Sequence, residues 1–146
     1  MPSTSITKRL TAYLIVGRDV CLEFWMIAGY DRRDPYAIRL EFPLEDEEKE
    51  RGYGADDDQP PSWTFGRELI AEGLHEPTGE GDVHVWPFGA DLAMVELRSD
   101  AGSALIAVPA RELRTFLFLT YAEVPPGYEG RYLEMDRLLH DLMGRA

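Results

Sequence analysis

A strictly alternating segment over residues 36–42 (YAIRLEF) constrains the fold of this chain more than any other feature. Successive side chains of a β-strand point to opposite faces, so the alternation places Tyr36, Ile38, Leu40 and Phe42 on one face of a half-buried strand. Similar patterns predict further strands at residues 7–16, 20–28, 62–65, 83–86, 91–98 and 103–108. We therefore predict about seven strands.

Turn residues connect these strands. Residues 17–19 (GRD) and 99–102 (SDAG) each predict a hairpin, and residues 77–82 (PTGEGD) predict a turn. The β-branched and aromatic run at 20–28 is typical of a strand covered on both faces. Its single cysteine, Cys21, cannot form a disulfide within the chain and is expected to be buried.

Two short helices are predicted in addition to a longer one. Residues 67–72 (RELIAE) provide about two turns, which Gly73 can end as a left-handed cap. Near the end of the sequence, Asp136 can begin a last helix. Four apolar residues are expected to form the buried face of that helix: Leu138, Leu139, Leu142 and Met143.

The longer helix, residues 109–121, has apolar residues around much of its circumference. Leu113, Phe116 and Leu117 fall on one stripe, whereas Phe118 and Leu119 lie off it. Such a helix contacts either two layers of its own domain or a second subunit. We expect Phe116, Phe118 and Leu119 at an oligomer interface.

The order of these elements predicts the α+β class, with mostly antiparallel sheets and helices on one side. At 146 residues the chain fits a single domain spanning 1–146, built from two sheet-plus-helix halves. Residues 44–61 carry eight acidic residues against Lys49 and Arg51 and have almost nothing apolar. We predict a mobile acidic loop there; a contact arm for a basic partner is the alternative.

Charge excludes some classes of partner. The formal net charge of −12 disfavours nucleic acid and anionic membranes, because both are bound mainly through lysine and arginine. No stretch approaches the roughly 20 apolar residues of a membrane span, so we expect a cytoplasmic protein.

No motif for catalysis or for a cofactor occurs in the sequence. His75, His84 and His140 lack metal-ligand spacing, and a site built from His75, Asp82 and His84 would need them to converge across a turn. There is no serine elbow and no phosphate-binding loop. We predict a protein that is not an enzyme, with no cofactor and no metal. Four aromatic residues could be core residues or stacking platforms: Tyr36, Trp63, Trp86 and Tyr128.

Five blocks of the sequence together resemble the SsgA-like family of sporulation and cell-division proteins of actinomycetes, most closely its SsgB-type members. The blocks are residues 34–37 (DPYA), 63–74 (WTFGRELIAEGL), 77–87 (PTGEGDVHVWP), 108–113 (VPAREL) and 124–127 (VPPG). They occur in the family's order, and the likeness extends over the chain from Thr7 onward.

The resemblance implies a non-enzymatic role in positioning or activating septum formation during sporulation, by recruitment of the division protein FtsZ. It also implies a location at division septa, a homotrimer, and a barrel-like body similar to the whirly proteins. Some whirly proteins bind single-stranded nucleic acid, and that activity is the alternative function for this chain.

Four charged residues are the candidate protein-binding residues. Arg67, Glu68 and Glu72 are expected to face solvent on the short helix while Leu69 and Ile70 anchor it, and Asp34 is expected to join them. A solvated helix face without a partner is the competing interpretation.

Overall fold

The computed structural model describes residues 5–43 and 61–144, so the predicted acidic loop lies outside the described residues except for Pro61. The strands are β1 (Ser5–Gly17), β2 (Val20–Asp31), β3 (Ala37–Glu41), β4 (Ser62–Gly66), β5 (Thr78–Glu80), β6 (Val83–Phe88), β7 (Leu92–Ser99) and β8 (Gly102–Pro109). The helices are α1 (Arg67–Gly73), α2 (Ala110–Glu123) and α3 (Glu129–Met143). All neighbouring strands are antiparallel, which confirms the predicted class.

Two consecutive four-stranded units make up one eight-stranded sheet in the order β4-β3-β2-β1-β8-β7-β6-β5. The units join where Tyr13 pairs with Ala107 and Leu14 with Ile106. At the two edges the sheet curls back on itself, since the backbone N–H of Gly66 after β4 donates to Glu80 Oε2 in β5 at 3.2 Å. The body is therefore a nearly closed barrel of two sheet-plus-helix halves.

The sheet has one strand more than the sequence patterns predict. Residues 77–82 were expected to form only a turn, but Thr78–Glu80 pairs with Val83–Val85 as β5. Gly81 takes a φ of +58°, which makes the tight reversal possible.

The core fills the inside of the barrel. Leu69 and Ile70 of α1 and Leu113 and Phe116 of α2 pack against the inward residues of the strands, so both helices cover the same face of the sheet. Ile38 and Leu40 are buried as the alternation predicts, but β3 begins at Ala37 and Tyr36 is exposed. The strand residues with no exposed surface are Leu10, Ala12, Met26, Ala28, Val85, Ala93, Val95 and Val108.

The β1–β2 hairpin corrects two predictions. After Leu14, β1 pairs only with β2, and before Ile27, β2 pairs only with β1. The hairpin therefore extends past the rest of the sheet. The prediction that the strand at 20–28 is covered on both faces is therefore wrong for its first half, where Val20, Leu22 and Cys21 are exposed. Cys21 is an exposed thiol and not a core residue.

The first and last helices also differ from prediction. Gly73 is the last residue of α1 and is not a left-handed cap; a Cβ at this position would lie 2.5 Å from Val85, so glycine allows close packing of α1 on β6. Helix α3 begins at Glu129, not at Asp136, and none of its residues is buried. The expected buried face of Leu138, Leu139, Leu142 and Met143 is instead exposed.

Candidate protein-binding surface

Arg67 is the buried centre around which the candidate residues are arranged. Its backbone N–H donates to the carbonyl of Tyr36 at 2.6 Å as β4 ends and α1 begins. Its side chain points inward and is 5% exposed, so the prediction that it faces solvent is wrong. The charge is satisfied there, because one guanidinium nitrogen, Nη1, donates to the carbonyls of Val124 at 2.7 Å and Thr120 at 3.3 Å.

The physical reason lies at the end of α2. The last carbonyls of a helix have no partner within it and carry the negative end of the helix dipole, so a cation is favourable there. Nη2 of Arg67 also forms an ion pair with Glu129 Oε1 at 3.0 Å, in the first turn of α3. One side chain thus fixes three helices relative to each other.

Two tyrosine rings flank this guanidinium. The Cζ atom of Arg67 lies 5.2 Å from the ring centre of Tyr30 and 5.0 Å from that of Tyr121, within the range of cation–π attraction. Burial raises the pKa of Tyr30 to about 12, although the charge of Arg67 opposes the shift. Burial likewise raises the pKa of Tyr121, again against Arg67. Tyr30 remains a neutral donor, and its hydroxyl bonds to the carbonyl of Pro35 at 2.9 Å.

Four carboxylates act electrostatically on one or both rings. Glu129, Glu123 and Asp34 add to the raised pKa of Tyr30, and Glu68 and Glu129 add to that of Tyr121. Asp34 and Glu68 are exposed, whereas Glu123 and Glu129 are half-buried. We call these four carboxylates the acidic rim. Asp34 and Glu68, two of the four predicted protein-binding residues, thus each act on one of the two rings that flank the buried Arg67.

Glu72 lies one turn after Glu68 on the exposed side of α1, where residues four apart are neighbours. Glu123 and Glu129 of the rim are not among the residues predicted from the sequence. An acidic residue such as Glu129 is typical of the first turn of a helix. Because the sequence prediction began this helix at Asp136, Glu129 was not assigned to it.

Exposed aromatic residues lie beside the acidic rim. Tyr36 is 52% exposed, and its hydroxyl is 3.7 Å from where a Cβ on Gly130 would stand. Tyr128, which precedes α3, is exposed and lies under the guanidinium of Arg131 at 4.9 Å. These two are therefore not core residues, whereas Trp63 and Trp86 are half-buried. Aromatic rings beside charges on a rigid base are frequent at protein interfaces.

The residues expected at an oligomer interface separate into two groups. Phe116 is 1% exposed and belongs to the core, so its side chain cannot meet another subunit. Phe118 and Leu119 are 61% and 42% exposed on the outer side of α2. Arg111 and Arg114 are exposed on the same helix. This face is apolar and basic in a chain that is strongly acidic overall.

A groove opens at the end of the barrel near the β1–β2 hairpin. Within the described residues it encloses about 1360 Å³ and is lined by apolar side chains that include Leu22, Phe24 and Trp63. The turn between β7 and β8 borders it on one side. The groove is concave and mostly apolar, with few charged groups in its lining.

The histidines do not assemble a metal site in the part of the chain that the structure describes, where no group of three or more potential ligands converges. His84 lies 3.9 Å from Glu96, and its Nδ1 has no hydrogen-bond partner among the described atoms. His75 lies on an exposed turn after α1. Over the described ranges, no helix is long and apolar enough to cross a bilayer.

Comparison with known proteins gives one consistent result. Residues 26–129 match the family described as Streptomyces sporulation and cell division protein, SsgA. The sporulation-specific cell division protein SsgB of Streptomyces coelicolor is 37% identical over 147 residues, which covers 99% of each chain. The SsgB protein of Thermobifida fusca is 35% identical over 136 residues, covering 91% of each.

Solved structures agree with the sequence relatives. An SsgA-like sporulation-specific cell division protein from Thermobifida fusca superposes with a TM-score of 0.78 at 34% identity, covering 97% of this chain and 98% of its own. A structure described in connection with SsgB mutations and longitudinal cell division in Streptomyces coelicolor superposes with a TM-score of 0.73 at 36% identity. It covers 88% of this chain and 95% of its own.

Proposed function

The chain belongs to the SsgA family of sporulation and cell-division proteins, and we propose that it acts as a non-enzymatic adaptor that recruits FtsZ to sites of septum formation. The relatives are named for sporulation-specific cell division, which supports a developmental role in division. Recruitment by direct contact requires a rigid surface that a partner can recognise. The proposed place of action is the cytoplasmic side of the septum.

The observation that carries this proposal is the surface above Arg67. Glu68, Glu123 and Glu129 of its acidic rim lie on the three helices that the buried Arg67 holds together, and Asp34 lies in the turn between β2 and β3. Tyr36 and Tyr128 add exposed rings. A preorganised surface loses little conformational entropy when a partner binds. Its charge favours a partner segment that is basic or that offers backbone N–H groups. We propose Asp34, Glu68 and Glu72 as contact residues, with Arg67 as the residue that positions them.

Co-sedimentation with polymerising FtsZ tests the proposal. The wild-type chain should pellet with the polymer, and Glu68→Lys and Asp34→Lys should each reduce the bound fraction several-fold. Asp100→Lys is a matched control, because Asp100 is exposed in the turn between β7 and β8 and its replacement changes the net charge equally. If the wild-type chain stays in the supernatant, direct FtsZ binding is wrong; equal loss in all three variants would show only an effect of net charge.

We also propose that the protein forms a homotrimer in which the apolar and basic face of α2 takes part. Phe118 and Leu119 supply apolar contact there, and Arg111 and Arg114 attract acidic surface on a second copy. Light scattering should give three times the chain mass of 16.6 kDa. A mass that stays at 16.6 kDa at every concentration would contradict this proposal.

One observation favours the alternative of single-stranded nucleic-acid binding. Trp25 is 39% exposed, and the guanidinium of Arg9 lies 3.9 Å from its ring centre, which forms a small stacking platform with a positive charge. A labelled oligonucleotide should then bind with an affinity that falls as salt rises, and Trp25→Ala should abolish that binding. Absence of binding at low salt would eliminate this function.

A further inference from the structure

The outer face of α2 combines unpaired positive charge with apolar surface. Arg111 and Arg114 are exposed, and neither forms an ion pair with another described residue. Phe118 and Leu119 follow them on the exposed side of the helix, and the ring of Phe118 meets that of Tyr121 edge-on at 6.4 Å between centres. We call Arg111, Arg114, Phe118 and Leu119 the basic face. The arginines that do pair with carboxylates are Arg33, Arg39, Arg67 and Arg98.

A surface with the opposite chemistry lies elsewhere on the same chain. Glu68 and Glu72 are exposed on α1, and Asp34 is exposed in the turn between β2 and β3. None of these three carboxylates forms an ion pair with a described residue. Tyr36 and Tyr128 add exposed rings, so arginine can meet both carboxylates and aromatic faces there. We call these five residues the acidic-aromatic surface.

The spacing of the charges matches between the two surfaces. Arg111 and Arg114 are three residues apart on one helix, and Glu68 and Glu72 are four residues apart on another. Both intervals correspond to about one helical turn, so side chains at either spacing are neighbours about 5–6 Å apart. Two arginines of one copy can therefore pair with two glutamates of a second copy at the same time. Phe118 would then contribute apolar contact beside the pairs.

Charge also indicates that the partner is a second copy. The net charge of −12 means that acidic surface is what this chain offers in excess, and its basic face fits an acidic partner. Each surface is exposed in the protomer, so neither covers the other within one chain. Contacts between two different surfaces of identical chains close into a ring when the rotation between neighbours divides a full turn, and about 120° closes three.

We propose that the basic face of α2 docks on the acidic-aromatic surface of the next copy, head to tail around the homotrimer. The inference rests on the self-association and on the FtsZ-binding surface proposed above. It adds that α2 of a neighbouring copy and FtsZ bind the same residues, Glu68 among them. Self-association therefore regulates recruitment: FtsZ reaches this surface only where a neighbouring α2 has left it.

Disulfide trapping tests the head-to-tail contact. In a Cys21→Ser background, which removes the chain's only cysteine, Arg114→Cys is mixed with Glu68→Cys and, separately, with Glu72→Cys. At least one mixture should give a cross-linked pair containing one chain of each variant, and no variant should cross-link with itself. Asp100→Cys, in the exposed turn between β7 and β8, is the control and should not link to Arg114→Cys. Self-linked variants without a mixed product, or no product at all, would overturn the proposal.

Sedimentation measures whether the basic face carries association. Phe118→Glu should shift the protein to the 16.6-kDa monomer, whereas Phe88→Glu should not, although the two rings are 61% and 60% exposed in the protomer. Arg114→Glu and Glu72→Arg should each weaken association several-fold, and the double variant should restore it. Circular dichroism verifies that each variant is folded. A Phe118→Glu variant with the wild-type mass would show that the basic face is not the contact.

Co-sedimentation with FtsZ separates this inference from the proposed function. Phe118→Glu keeps the acidic-aromatic surface intact and uncovers it, so the variant should bind several-fold more FtsZ than wild type at equal concentration. Equal binding by the two would overturn the competition. If neither binds, FtsZ recruitment is wrong, and the mixed cross-link still decides the head-to-tail contact. A wild-type chain that is monomeric at every concentration would overturn the contact and the homotrimer together.

Discussion

A guanidinium nitrogen of Arg67 and the backbone carbonyl oxygen of Val124 are 2.7 Å apart, so the start of α1 is tied directly to the end of α2. The same side chain pairs with Glu129 at the start of α3. Because the side chains of Arg67 and Glu129 are only 5% and 15% exposed, the contribution of the ion pair depends on the completeness of the arrangement. Removal of either partner leaves polar groups in the interior without compensation.

Replacement of Arg67 should destabilise the fold strongly. Arg67→Met keeps most of the side-chain volume but removes the donor to the buried Val124 carbonyl and the positive partner of Glu129. The Thr120 carbonyl keeps the Val124 N–H as a donor, and Glu129 keeps that of Gly127. We expect the free energy of unfolding to fall by about 3 kcal/mol, in the range for a broken buried pair. Urea denaturation with an unchanged m-value measures this loss. Arg67→Lys keeps the charge without the forked geometry and should lose less; a Met variant as stable as wild type would refute the structural role.

Alkaline pH should weaken the fold through Tyr30. Its pKa is about 12 in the folded protein and ordinarily near 10 in an unfolded chain. Between these values the unfolded chain has released the proton while the folded protein retains it, so stability is complete below pH 10 and falls as pH rises towards 12. The loss is on the order of 2 kcal/mol. Unfolding free energies measured at pH 9 and pH 11.5 should differ more for wild type than for Tyr30→Phe.

Tyr30→Phe is informative in a second way. It also removes the hydrogen bond to Pro35, so its stability at neutral pH should be lower by about 1 kcal/mol. An identical pH dependence in the variant and in wild type would mean that Tyr30 does not cause the alkaline loss, and Tyr121 would be the next residue to replace.

A methyl group at Gly73 should disrupt the contact between α1 and β6. Its Cβ would stand 2.5 Å from two side-chain atoms of Val85 and 3.2 Å from the Val85 carbonyl oxygen. We expect Gly73→Ala to cost about 1–3 kcal/mol, as overpacked cores do, despite the helix preference of alanine. Val85→Ala removes Cγ1 but keeps the Cβ that would also lie 2.5 Å away, so the double variant should recover part of the loss and cost less than the sum of the two single changes. Strict additivity in thermal unfolding would show that the two residues are not in conflict.

The thiol of Cys21 should react without unfolding. It is exposed on the extended part of the β1–β2 hairpin, opposite Ile15. A water-soluble disulfide reagent should therefore modify one thiol per chain in native buffer at a rate within about tenfold of the denatured rate, since access and thiolate character govern the reaction. A burst of reactivity that occurs only in denaturant would place Cys21 in the interior or beneath a partner subunit.

The strands could be predicted because their information is local. Alternation around Ile38 and Leu40 specifies an inner and an outer face, and turn residues such as those at 99–102 fix the β7–β8 hairpin. The edge strand β5 escaped prediction because its residues are typical of turns. Pairing with β6, rather than propensity, makes Thr78–Glu80 a strand.

The candidate surface could be predicted only in part, because it is assembled from distant segments. A charged residue at the start of an amphipathic helix normally faces water, and no local pattern shows that Arg67 meets carbonyls at Thr120 and Val124. Asp34 and Glu68 were found by their charge, whereas Glu123 and Glu129 required the fold. For α3 the pattern correctly indicated an apolar stripe. What covers a stripe is a property of its surroundings, and the periodicity of Leu138 and Leu142 contains no information about them.

The position of β1 beside β8 has a consequence for how the protein is made. β1 is synthesised before the other strands, yet one of its two neighbours, β8, is the last strand of the sheet to be made. The first four strands can form their meander during translation, but their inner surface is covered only when β8 and α2 have been made. Arg67 likewise has no acceptor at the end of α2 until Val124 has been made. Nascent chains that have not reached β8 therefore expose apolar strand surface, and the native state is completed only after β8 and α2 have been made.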